Sequence, residues 1–260
     1  MNSSIGINND AGKHWILLRG LSRESAHWGA FVPLLQASFP DAKVSLLDLP
    51  GTGRFYQDDS PNTIKDITEQ VRSLAQSEGL LEQPVTILAL SLGAMVAWEW
   101  MLSHPEDICG AALINTSFAG LSPFYQRLRW QSYGKFFALA MQRDLRKREL
   151  AILQLVNNSR DKDEQIADEW TQIQSQRPIS PKNSFRQIVA AANYNPGNSK
   201  PVAPVLLLNT AGDRLVAPAC SEAIHKKWNL ELCTHPWAGH DLTVDDGEWV
   251  ISQLKERLIK

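Results

Sequence analysis

VTILALSLGAMVAWEW, residues Val85 to Trp100, passes from strand to helix with no room for a loop. The run Val85-Thr86-Ile87-Leu88-Ala89-Leu90 is short, apolar and partly β-branched, and Pro84 precedes it. It reads as a buried strand. Ala94 to Leu102 is apolar nearly all round and stops before His104-Pro105, which reads as a buried helix ended by proline. Between them the chain must turn sharply at Ser91. Such a turn needs small residues two before and two after the serine, so that helix and strand can approach, and Ala89 and Gly93 meet that need. This is the strand–turn–helix setting of a G-x-S-x-G nucleophile elbow, with Ala89 in place of the first glycine. Taken alone, the segment also allows Ser91 to be no more than a helix N-cap.

Working outward, strands and helices alternate. Strands are expected at His14–Leu18, Val44–Leu49, Ile108–Asn115, Val205–Asn209 and Leu230–Thr234, beside Val85–Leu90. Helices are expected over about 24–38, 63–78 and 247–260. The alternation predicts an α/β fold with a mainly parallel sheet of about six strands flanked by helices. In such sheets functional groups lie in the loops beyond the carboxyl ends of the strands. Those loops carry Arg19-Gly20-Leu21, Pro50-Gly51-Thr52-Gly53, Ser91, Asn115-Thr116, Asp213 and His240.

The alternation breaks over 118–200, which is helical in pattern. Ser122-Pro123 and Ser180-Pro181 read as helix starts, a capping serine before a proline. The expectation is a helical cap inserted before the fifth strand, over a core of 13–117 and 201–260. Residues 1–12 read as loosely attached.

Composition is ordinary for a globular chain of 260 residues, apart from nine tryptophans. A net charge of −2 and the lack of a basic run argue against nucleic acid as a partner. Cys109, Cys220 and Cys233 are widely spaced and odd in number, which suits a reducing compartment rather than a disulfide framework. The polar N-terminus lacks the apolar core of a secretory signal, and no apolar run is long enough to span a bilayer. A cytoplasmic protein with no membrane partner is expected.

Serine-based acyl transfer needs a hydroxyl, a base, a carboxylate to orient the base, and donors for the oxyanion. Ser91, His240 and Asp213 supply the first three, in the chain order Ser, Asp, His that this fold uses. Asp213 also has the bland reading of a helix cap. Asp241, Asp245 and Asp246 read as first-turn acids of the last helix. Cys233-x-His235 lacks the further ligands a metal would need.

With Asp48-x-x-Gly51-x-Gly53, Ser91, Asp213 and Gly239-His240 in order, the sequence resembles the α/β-hydrolase superfamily over 13–117 and 201–260. Within it, the resemblance is nearest to small capped carboxylesterases such as the pimeloyl-acyl-carrier-protein methyl ester esterases. The resemblance implies a serine hydrolase acting on a carboxylic ester through an acyl-enzyme, with catalytic Ser91, Asp213 and His240. It implies an oxyanion hole of the Leu21 and Leu92 backbone N–H groups, and neither metal nor cofactor. Three departures stand out: Ala89, Arg19-Gly20 where the family has His-Gly, and too few leading residues for the family's first hairpin. Thioester or C–C bond hydrolysis, or a cofactor-free lyase, would use the same triad. A ligand-binding protein on the same scaffold is the non-enzymatic alternative.

From Leu121 to Lys200 the chain holds 13 Lys and Arg against 7 Asp and Glu, densest at Arg143, Arg146, Lys147 and Arg148. This is either a solvated helix face or an attraction for a substrate that is anionic or bound to an acidic carrier protein. Phe136, Phe137, Leu139 and Met141 offer either an acyl-pocket wall or packing onto the core.

Overall fold

A computed structural model describes residues 11–259. The expectation for the start of the chain lies, for residues 1–10, outside the described residues.

Six strands form one sheet: β1 (His14–Leu18), β2 (Lys43–Leu47), β3 (Val85–Leu90), β4 (Ile108–Ile114), β5 (Val205–Thr210) and β6 (Glu231–His235). Their order is β2-β1-β3-β4-β5-β6, and every pairing is parallel. β3 and β4 are buried at every position, as expected for central strands covered on both faces.

One face packs against α2 (Ile64–Ser77) and α3 (Leu92–Ser103), where Ile67, Val71, Val96 and Trp98 meet Ile87 and Leu113. α9 (Ala219–Trp228) adds Ile224 and Trp228 to the same cluster. The other face packs against α1 (Phe31–Ser38) and, after the short α10 (Leu242–Asp245), against α11 (Gly247–Gln253), with Trp15, Leu88 and Leu208 against Phe31, Leu35 and Val250.

The helix expected over about 24–38 is two pieces. A short 3-10 turn, Ser25–Trp28, is separated from α1 by Gly29 at φ 47°, a backbone state that glycine tolerates and a continuous helix does not.

Between β4 and β5 lie only helices: α4 (Phe124–Arg127), α5 (Tyr133–Met141), α6 (Leu145–Val156), α7 (Asp163–Gln176) and α8 (Pro181–Asn193). Ser180 caps α8 as expected, its hydroxyl accepting from the Asn183 N–H, with Pro181 as the first helical residue. Ser122 does not cap α4: Pro123 holds the cap position and Ser122 is buried. α6 and α7 pack through Leu153, Ala167 and Trp170, and Arg146 on α6 reaches Glu164 and Asp168 on α7. One residue of the basic cluster is thus occupied in joining two helices.

Candidate active site

Ser91 is a non-glycine residue at φ 56°, ψ −113°. L-residues rarely hold such a backbone state, and it persists only where the surroundings over-determine it. The surroundings do so here. The Ser91 N–H donates to Ile114 O (2.8 Å), and the Thr116 hydroxyl donates to Ser91 O (3.0 Å). Gly93 allows the close approach: a Cβ there would lie 2.5 Å from Arg19 O and 2.6 Å from Leu18 O. Ala89 is fully buried between β1 and β4 partners. The Ser91 side chain makes no capping bond to α3, which counts against the N-cap reading.

Asp213 follows β5. Its Oδ1 accepts from the Leu215 N–H (2.7 Å) and the Val216 N–H (2.9 Å), so the carboxylate is held by its own turn. Its Oδ2 lies 2.7 Å from His240 Nδ1. A carboxylate only accepts, so Nδ1 carries the proton, and in the neutral imidazole Nε2 is the acceptor. Both side chains are almost wholly buried.

The His240 loop is braced from several sides. Asn115, itself at φ 48°, donates to His240 O (2.8 Å), and the Thr210 hydroxyl donates to Gly239 O (2.9 Å). Asp245 accepts from the N–H groups of Gly239, Asn158 and Ser159. Only Asp246 of the three expected first-turn acids caps α11, through the Trp249 N–H. Asp245 is taken by the loop it braces. Asp241 turns inward to Arg19, with Arg19 NH2 2.5 Å from Asp241 Oδ2, and both residues are 2% exposed. Burial alone would raise the Asp241 pKa, but the Arg19 charge and hydrogen bonds, aided by Thr243, hold it below the usual carboxylate range.

This answers what Arg19 does in the place of a histidine. Its guanidinium lies over the Trp28 ring and ties the end of β1 to the residue after His240. Among the described residues, the backbone N–H groups of Leu21 and Leu92 donate to no other group of the chain. Cys233-x-His235 goes elsewhere: His235 Nε2 lies 3.1 Å from Asp246 Oδ2, and its Nδ1 accepts from the Ala238 N–H.

Ser91, His240, Leu21 and Leu92 line one cavity of about 510 Å³, roofed by the helices between β4 and β5. Its wall is mainly apolar. Phe136 and Leu139 line it, whereas Phe137 and Met141 on the same helix are 72% and 69% exposed. One half of the expected acyl wall thus faces the cavity, and the other half faces neither cavity nor core.

A buried group at this wall has no counterpart among the residues expected from the sequence. Arg23 NH1 bonds Glu149 Oε2 at 2.7 Å and lies 3.1 Å from His27 Nε2, and the guanidinium stacks over Trp170. Burial, with Arg23 and Arg19 nearby, holds the His27 imidazole well below the usual histidine range. No local pattern marks Glu149, which sits in a charged run (Arg146-Lys147-Arg148-Glu149) that reads as solvated. Asn115 left a faint trace, as a polar residue at the end of a buried strand.

The sequence model of the alpha/beta hydrolase family matches residues 15–253. The chain belongs to the alpha/beta hydrolase family. Among its relatives is a pimeloyl-[acyl-carrier protein] methyl ester esterase of Edwardsiella ictaluri (strain 93-146), 32% identical over 102 residues. That match covers 39% of this chain and 36% of the relative, so it spans little more than a third of the relative's length. The alpha/beta hydrolase fold is shared with a hydrolase from Pseudomonas aeruginosa PA01 at a TM-score of 0.73 and 19% identity, covering 94% of this chain and 89% of that one. It is shared also with the esterase RhEst1 from Rhodococcus sp. ECU1013, at a TM-score of 0.73 and 17% identity, covering 95% and 90%. At these identities the likeness speaks to the fold alone.

Proposed function

We propose that the chain is a serine hydrolase that cleaves a carboxylic ester through Ser91, His240 and Asp213. One observation carries this reading. The Asp213–His240 pair and the strained Ser91 turn meet at the same apolar cavity, beside two backbone N–H groups without a partner in the described chain. The names of the esterase relatives point the same way.

In this mechanism His240 Nε2 takes the Ser91 proton as the hydroxyl oxygen attacks the ester carbonyl. The carbonyl electron pair moves to oxygen, where the Leu21 and Leu92 N–H groups hold it. Each such donor is typically worth ~3 kcal/mol of barrier. The tetrahedral centre collapses, the C–O bond to the alcohol breaks, and His240 returns its proton to the leaving oxygen. Water then repeats the sequence on the acyl-enzyme and releases the acid. Asp213 stays ionised and fixes the imidazole.

Residues 118–200 serve as the cap in this reading, and 13–117 with 201–260 as the core. An acyl chain would lie along the apolar wall that includes Phe136 and Leu139. The excess of Lys and Arg in the cap favours an anionic substrate or an acidic carrier, and the relatives' names refer to a carrier-bound ester. Cys109, Cys220 and Cys233 are all buried, in keeping with the cytoplasm. Among the described residues no helix is long and apolar enough to cross a membrane.

Labelling with a fluorophosphonate probe, mapped by mass spectrometry, tests the proposal. The probe should attach at Ser91, fail with Ser91→Ala and weaken with His240→Ala. Attachment elsewhere, or none on the folded protein, would overturn it. A panel of p-nitrophenyl esters of graded chain length then sizes the acyl site.

A further inference from the structure

The cavity wall carries charge beyond what the proposed chemistry uses. Arg19, Arg23, Arg127, Arg148, Glu149 and Asp241 all line it. The two carboxylates are both taken. Asp241 pairs with Arg19 at 2.5 Å and Glu149 with Arg23 at 2.7 Å, while Arg148 lies 3.8 Å from the other Glu149 oxygen. Two positive charges are left in excess.

These two differ. Arg148 shares Glu149 and its side chain is 38% exposed. Arg127, on α4, pairs with no carboxylate among the described residues. Its Nε–H donates to Ser117 Oγ (3.4 Å), its NH1 to Ala192 O (2.8 Å) and its NH2 to Ala191 O. All three acceptors are neutral. Burial is the main influence on the guanidinium and pushes its pKa down. A partly desolvated cation without a counter-charge gains most from an anion brought to it.

The contacts also say which side of the site this cation serves. Ser117 follows Thr116, whose hydroxyl bonds the Ser91 carbonyl, and Ser117 lines the cavity with Ser91. The carbonyls of Ala191 and Ala192 belong to the last turn of α8, so Arg127 also caps that helix. Capping uses one hydrogen on each terminal nitrogen. A guanidinium has five, and the bond from Nε takes a third, so one on each terminal nitrogen remains for an anion. Leu128, Leu215, Val216 and Ile188 supply apolar wall in the same cavity.

We propose that Arg127 determines specificity by binding an anionic group, a carboxylate or a phosphate, on the substrate whose ester carbonyl lies at Ser91. The inference rests on the ester-hydrolase reading for the fate of that carbonyl, but the anion subsite can be measured without turnover.

The test uses the Ser91→Ala full-length chain and calorimetric titration. The ligands are monomethyl esters of straight-chain dicarboxylic acids of graded length, each with its matched dimethyl ester. At the best length the half-ester should bind at least about tenfold tighter than the diester, the effect of a charge-assisted bond. Adding Arg127→Gln should bring that ratio to about one, and Arg127→Lys should keep part of it. If Arg127 only caps α8, Arg127→Gln will weaken both ligands alike and leave the ratio, which overturns the proposal. Equal affinities in Ser91→Ala also overturn it, as does no binding at any length by Ser91→Ala when the unmutated protein takes the fluorophosphonate probe at Ser91. An ester of the same length ending in phosphate separates the two anions: tighter binding than the half-ester assigns phosphate, weaker binding carboxylate. Half-ester binding without probe labelling of the unmutated protein would leave the anion subsite standing and remove the hydrolase reading instead.

Discussion

Below the cavity, position is set by strand ends and polar ties that are almost wholly buried; above it, by polar ties that leave large apolar side chains in solvent. The floor is the turn at Ser91 and the loops after β1, β4, β5 and β6, where backbone and buried polar side chains interlock. Its side chains are among the most buried in the molecule, with Asp213 at 1% and Asn115 at 2% exposure. The roof is hung on Arg23–Glu149, Arg177–Glu24, Arg129 to Asp213 O and Asn158 to Gly212 O. It leaves Trp130, Phe137 and Met141 more than half exposed. The contrast separates two tasks. A reacting group must be held to a fraction of an ångström, which close-packed backbone provides. A wall that selects substrates needs only shape and charge.

The sharpest test of that contrast removes one floor atom. Ser91→Ala should lower kcat/KM on a short p-nitrophenyl ester by about 10⁴-fold or more while leaving the urea midpoint nearly unchanged. A loss of stability instead of activity would mean that the turn exists for packing.

Next in size is the buried pair that joins two floor loops. Asp241→Asn leaves Arg19 buried without its counter-charge and should cost about 3–5 kcal/mol in urea unfolding. The folded Asp241 pKa lies below its usual value, so the pair contributes fully above the unfolded carboxylate pKa of about 3.9. The contribution is lost only as pH falls through the lower folded value. The gap between wild type and Asp241→Asn should therefore be flat from pH 7 down to about 4.5 and close only in stronger acid. A gap that closes near neutral pH would point to another group.

Smaller again is Gly93→Ala. Its new Cβ would meet two backbone oxygens at 2.5 and 2.6 Å, so helix and strand must separate. A cost of about 1–3 kcal/mol is expected, with slower turnover because Ser91 moves. The smallest effect belongs to the roof. Phe137→Ser or Met141→Ser should change stability by less than about 0.5 kcal/mol, since both side chains already face solvent. A larger loss in thermal melts would show that α5 packs against more than it exposes.

The same division explains what could be read from the chain alone. The junction at Ser91 was legible because strand, turn and helix are adjacent, and Gly93 is required by residues that β1 must place beside it. Asp213 and His240 were legible because each follows an apolar run directly. Arg19 was not, because its partner Asp241 lies 222 residues away and looked like an ordinary helix-start acid. Glu149 was hidden in a charged run whose buried member only the packing of α6 on the core reveals. The split between Phe136 and Phe137 depends on how a nine-residue helix is rotated, which its own sequence leaves open.

Gly212 and Gly239 sit in the two floor loops that hold Asp213 and His240. A Cβ at Gly239 would lie 2.4 Å from Val156 O, and one at Gly212 would lie 2.5 Å from the Asn158 side chain. The end of α6 is therefore moulded onto those loops, and 156–158 belongs with the floor although it arrives with the roof. For domain recombination this sets the crossover points. A chimaera that exchanges the inserted helices for another family member's should retain 156–158, and one that replaces them will misplace the imidazole even if the new roof fits the substrate.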